Sequence, residues 1–88
     1  MNLTIVTAEM KKAEDGTYLG KTIFRAESHK ADYEITFYSK RGNDWDYSLS
    51  YANEPGVEEQ FIEVDQAIEQ NDELFDRLLD AAWDTLPE

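Results

Sequence analysis

The sequence predicts an α+β fold: a four-stranded antiparallel β-meander followed by two C-terminal helices packed on one sheet face, in the order ββββαα. Three observations predict it. Apolar residues alternate with a period of two as far as Asn53. Beyond that point they recur at helical spacing. Short turns carrying Gly, Asn or Asp separate most of the alternating segments, which makes consecutive strands hairpins.

The first strand is expected over Asn2–Lys11, with Leu3, Ile5 and Thr7 on one face and Thr4, Val6 and Ala8 on the other. Glu14-Asp15-Gly16-Thr17 forms a turn in which Gly16 takes a positive φ without a Cβ clash. The second strand is Tyr18–Glu27, with Thr22, Phe24 and Ala26 sharing a face. Ser28-His29-Lys30 leads to the third, Ala31–Ser39, where Tyr33, Ile35 and Phe37 stand opposite Asp32, Glu34, Thr36 and Tyr38. After the turn Lys40-Arg41-Gly42-Asn43, the fourth strand Asp44–Ala52 sets Trp45, Tyr47, Leu49 and Tyr51 against Asp46, Ser48 and Ser50.

Asn53-Glu54-Pro55-Gly56 interrupts the alternation, and Asn53 is a natural N-cap with Pro55 in the first turn. Val57, Phe61, Val64 and Ile68 then mark one face of a helix, although Gln60–Asp65 also fits a fifth strand beside the fourth. Asn71 caps a second helix with Asp72 and Glu73 in its first turn and an apolar stripe of Leu74, Phe75, Leu78, Leu79, Ala82 and Leu86. The aromatic sheet face from Tyr33 to Tyr51 and the two helical stripes each need the other to leave water.

At 88 residues the chain has room for one core, so residues 1–88 are read as a single domain. Cysteine is absent, which removes disulfides, thiolate nucleophiles and Cys-based metal sites and fits a reducing, cytoplasmic setting. The segment MNLTIVTAEMKK lacks the pattern of a signal peptide, and no apolar run approaches a membrane span. Catalysis is not expected. The single histidine, His29, falls in a turn and reads as a solvated surface residue, and no nucleophile motif, phosphate loop or EF-hand occurs. No cofactor or metal is expected either.

The net charge of −12 opposes direct binding to nucleic acid or to an anionic membrane. Its distribution is uneven. Residues 1–53 carry eight acidic and seven basic side chains, whereas residues 54–88 carry twelve acidic side chains and only Arg77 as a base. Within the second helix Asp72, Asp76, Asp80 and Asp84 stand four apart on a solvent side, near Glu73, and the first helix adds Glu59 and Glu63 beside Glu58, Asp65 and Glu69. Arg77 is expected to offset Glu73 and Asp80. Each like-charge pair at that spacing costs a helix about 0.2–0.5 kcal/mol, and Asp80 and Asp84 also face the unfavourable end of the helix dipole.

Two readings of this surface follow. In one it is a solvated face that keeps a housekeeping or oligomerising α+β domain soluble. In the other it is a binding face made of Glu59, Glu63, Asp72, Glu73, Asp76, Asp80 and Asp84, with Trp83 as an aromatic anchor; the alternative role for Trp83 is packing on Phe75 or Leu79. Asp72 to Asp84 spans about 18 Å along a helix axis, which covers several phosphates of one nucleic-acid strand. The expected partner is then a basic protein, of the nucleic-acid-handling kind, blocked by a small acidic inhibitor with nucleic-acid mimicry as its route. A further exposed surface is expected on the open sheet face at Thr36, Tyr38, Asp46, Ser48 and Ser50, and strand edges offer a way for a monomer to pair as a homodimer. In general profile the chain resembles phage-encoded inhibitors of host defence, such as anti-CRISPR and anti-restriction proteins, and bacterial nuclease-immunity proteins. That likeness is one of type, and no stretch carries a shared motif.

Overall fold

A computed structural model describes residues 2–86. Strands β1 (Leu3–Lys12), β2 (Tyr18–Ala26), β3 (Asp32–Ser39) and β4 (Asp46–Tyr51) form one antiparallel sheet in sequence order, followed by helices α1 (Glu58–Gln70) and α2 (Asp72–Trp83). The ββββαα meander with two C-terminal helices is therefore the fold. Gly16 closes the first hairpin at φ 91°, where a Cβ-free residue sits without strain.

Alternation sends Thr22, Phe24 and Ala26 of β2 and Tyr33, Ile35 and Phe37 of β3 to the covered face, and all six are essentially inaccessible to water. Register places Phe24 opposite Tyr33 and Thr22 opposite Ile35. Cross-strand rings meet: Phe24 and Tyr33 stack with centroids 5.7 Å apart, and Tyr33 and Tyr51 at 5.9 Å. From above, α2 lies across β1 and β2 and contributes Leu74, Leu78 and Ala82. Helix α1 buries Val64 and Ile68 and seats Phe61 on Tyr51 and Tyr33, at 5.0 and 6.2 Å. The buried Thr22 hydroxyl between the layers is satisfied, since its Oγ1 donates to the Leu78 carbonyl at 2.8 Å.

Three local expectations need correction. In β1 the pairing runs Ile5↔Phe24 and then Thr7↔Ile23, so Val6 is an extra residue in a β-bulge. The bulge reverses the phase: Leu3 and Met10 are buried and Ala8 half-buried, whereas Thr7 is exposed. At α1 the N-cap is Val57, without a side-chain cap bond, and Asn53 lies earlier in the connecting loop. That loop climbs from sheet to helix layer in close contact with the core. A Cβ on Gly56 would come within 2.6 Å of the Ala31 Cβ, so only glycine fits this approach of loop to sheet. The segment Gln60–Asp65 is helical and not a fifth strand. Asn71 is the only residue between the helices, and its Oδ1 accepts from the backbone N–H of Glu73 and Leu74 at 3.1 and 3.3 Å.

Truncation of Phe37 or Phe24 to alanine should lower the unfolding free energy by about 3–5 kcal/mol. Asn71→Ala should cost about 1 kcal/mol through the lost cap, and Tyr38→Ala on the open face less than about 0.5 kcal/mol. Urea unfolding followed by tryptophan fluorescence measures all of these.

Candidate partner-binding surface

Because both helices lie on the same side of the sheet, their outer surfaces form one layer that carries most of the carboxylates from Glu58 to Asp84. Glu59, Glu63, Asp72, Glu73, Asp76, Asp80 and Asp84 are all exposed. Four of them, Glu73, Asp76, Asp80 and Asp84, line one open groove of about 540 Å³ along the flank of α2, together with Arg77, Ala81 and Ile5 of β1. Asp72 sits at the start of the same helix, outside that groove, and Glu59 and Glu63 lie apart on α1.

The basic residues of the sheet do not neutralise this layer. Lys21 pairs with Glu9 at 3.5 Å and Glu34 at 3.9 Å, and Arg25 pairs with Asp32 at 2.9 Å, all within the sheet. The Arg25 hydrogen bond holds the Asp32 carboxyl below its ordinary range. Among the described residues the sole basic group within 4 Å of a helical-layer carboxylate is His29, whose Nε2 stands 3.6 Å from Glu63 Oε1.

Arg77 is not the local counterion that its spacing suggests. Its Nη2 donates to the Leu3 carbonyl at 3.0 Å, and it forms no ion pair among the described residues. The guanidinium has been drawn to the edge of β1, which leaves Asp76, Asp80 and Asp84 without a paired cation. His29 also departs from expectation. Its side chain is only 7% exposed, with Nδ1 3.0 Å from the Tyr33 hydroxyl. Ser28 before it takes φ 68°, a left-handed conformation that turns the chain and folds the imidazole under α1. Nothing in the periodicity announces this, because it depends on where α1 crosses the sheet.

Trp83 is 38% exposed and bounds the end of α2. It packs on Tyr18 with ring centroids at 5.1 Å and edge-on to Trp45 at 6.0 Å. The aromatic trio joins β2, the residue that precedes β4, and the end of α2, so Trp83 presents an apolar face held from two sides. The open sheet face is uncovered, with Tyr38 39% and Leu19 57% exposed. Among the described residues no group of three carboxylate or imidazole side chains gathers as a metal site, and no helix is long and apolar enough to cross a membrane.

The helical layer also perturbs the sheet below it. The Tyr47 hydroxyl points at Asp65 Oδ1 over 3.5 Å. Burial, with the charges of Asp65 and Glu69 next, pushes the Tyr47 phenol up to about 12. Tyr33 is raised as well, by burial first and by Tyr51 and Glu63 next. A phenol raised in the fold stays neutral there after it would ionise in the unfolded chain. Its contribution is intact below the ordinary tyrosine value of about 10 and is lost as pH climbs toward the folded value. Melting temperature should therefore fall between about pH 10 and pH 12, and Tyr47→Phe should flatten part of that fall and leave the share due to Tyr33. Independently, Asp80→Asn should stabilise α2 by about 0.4–1 kcal/mol, because it relieves two like-charge pairs; urea unfolding at low ionic strength reads this. Compared with protein families, with curated proteins and with solved structures, the chain matches none.

Proposed function

We propose that the protein is a small acidic inhibitor that binds and blocks a basic, nucleic-acid-handling protein. The observation that carries the reading is the row Glu73, Asp76, Asp80 and Asp84: exposed, gathered on one groove, and left without a paired cation while the nearest arginine is spent on a backbone carbonyl. A row of like charges four residues apart weakens the helix that bears it. A surface needed only for solubility gains as much from mixed Glu and Lys, with favourable pairs in place of repulsive ones.

The chemistry of such a face is competition. A cleft lined with Lys and Arg to hold phosphates attracts a rigid row of carboxylates by the same long-range field, which raises the association rate and makes affinity fall with salt. Helical geometry spaces the carboxylates regularly over about 18 Å between Asp72 and Asp84, a length comparable to several phosphates. Trp83 supplies apolar burial beside the charge, as interface anchors commonly do. Glu59 and Glu63 extend the negative field over α1.

The test is capture of partners from host lysate by the wild-type protein and by the Asp76→Lys, Asp80→Lys, Asp84→Lys triple variant, at low and high salt. A stoichiometric basic partner should be retained by the wild type at low salt, released at high salt, and lost in the triple variant, and the wild type should displace duplex DNA or RNA from that partner. Unchanged capture and inhibition by the triple variant would overturn the reading.

A further inference from the structure

The two edges of the sheet are treated differently. At β1 the ladder phase is set by Glu27 N–H donating to the Asn2 carbonyl across the opposed pair and, past the bulge, by Ala13 N–H donating to the Thr17 carbonyl. Antiparallel alternation then turns the backbone groups of Leu3 and Met10 outward. One group of each is met from α2 and its C-terminal turn: Arg77 Nη2 donates to the Leu3 carbonyl at 3.0 Å, and Met10 N–H donates to Thr85 Oγ1 at 2.9 Å. Helix α2 and its C-terminal turn thereby occupy the β1 edge at these two points and stand in the way of another strand.

At β4 nothing comparable exists among the described residues. Ala52 N–H donates to the Asp32 carbonyl at 3.0 Å, and these residues stand opposite each other in the register that pairs Tyr33 with Tyr51. Alternation therefore commits Asp46, Ser48 and Ser50 to β3 and turns the N–H and C=O of Tyr47, Leu49 and Tyr51 to the free edge. No hydrogen bond from another element reaches these groups. Side chains agree: Tyr47, Leu49 and Tyr51 point to the core face and still remain half-exposed, unlike their partners Phe37, Ile35 and Tyr33.

The charge beside this edge selects its occupant. Asp65 and Glu69 of α1 flank Tyr47 on the covered side, and Asp46 stands on the open side. A second copy added through β4 would bring another α1, with Glu58, Glu59, Glu63, Asp65 and Glu69, alongside the first, like charge against like. An extended segment with Lys or Arg at alternate positions meets opposite charge instead, while its main chain satisfies the free groups.

We propose that the β4 edge is a second docking site, which takes an extended lysine- or arginine-bearing segment of a partner protein as an added antiparallel strand. The proposal rests on the partner being basic, as in the preceding reading, and uses a surface distinct from the α2 groove.

The probe is a short capped peptide alternating lysine and valine, followed by amide hydrogen exchange of the full chain. In the free protein the amides of Tyr47, Leu49 and Tyr51 should exchange faster than those of Ser48 and Ser50. Bound peptide should slow those three by about tenfold or more, leave Met10 unchanged, and do so equally in the Asp76→Lys, Asp80→Lys, Asp84→Lys variant. Methylation of the peptide's alternate backbone nitrogens should abolish the effect, and Asp65→Asn with Glu69→Gln should weaken it several-fold. The proposal fails if the three amides are already protected in the free protein, if their protection rises with protein concentration without peptide, or if the peptide acts only on α2. That last outcome would leave the acidic-ridge reading standing alone.

Discussion

The structure depends on one constraint: the single aromatic face made by Phe24, Tyr33, Ile35 and Phe37 must be dry, and a four-stranded sheet cannot dry its own face. All four side chains are completely inaccessible, which requires both helices on the same side. The uneven charge of the sequence becomes an uneven charge in space only through that requirement. Most carboxylates from Glu58 to Asp84 cannot point into the packed interface, so they populate the outer surface of the helical layer. Lys21 and Arg25 of the sheet pair with Glu9, Glu34 and Asp32 within it. Hydrophobic packing thus decides the electrostatics, although no charged group takes part in the core.

Much of this was legible in the sequence because the signals were local and periodic. Alternation from Tyr18 to Tyr51 shows which residues face inward, and the Asn71 cap follows from a residue type at a helix start. Legibility ended where tertiary contact overrides local pattern. The run Thr4–Thr7 is β-branched on both faces, so neither phase is preferred until α2 demands Leu3 and Met10 together, and the Val6 bulge reconciles them. Asn53 is a good cap chemically, yet the loop after it packs closely on Ala31 at Gly56, and the helix starts at Glu58. His29 looks like a turn residue in sequence and becomes enclosed because α1 passes above it.

The candidate site was read in the same uneven way. The exposure of Asp76, Asp80 and Asp84 follows from helical geometry alone. The engagement of Arg77 with the Leu3 carbonyl does not, since it joins residues 74 apart in the chain. The difference matters electrostatically. Arg77 lines the same groove as Glu73 and Asp80 but forms no ion pair with either among the described residues, its guanidinium being bound to the edge strand. The same hydrogen bond therefore occupies a strand edge and leaves the acidic row without an ion pair among the described residues.

Placing a nearly neutral sheet beneath a strongly anionic helical layer gives the molecule a permanent electric dipole across its layers. The vector points across the interface between sheet and helices. In the field of a cationic body such a particle experiences a torque as well as a pull. It turns its helices forward while still beyond touching distance, so a larger share of random collisions begins in a usable orientation. The sheet, on the trailing side of that rotation, is left facing solvent.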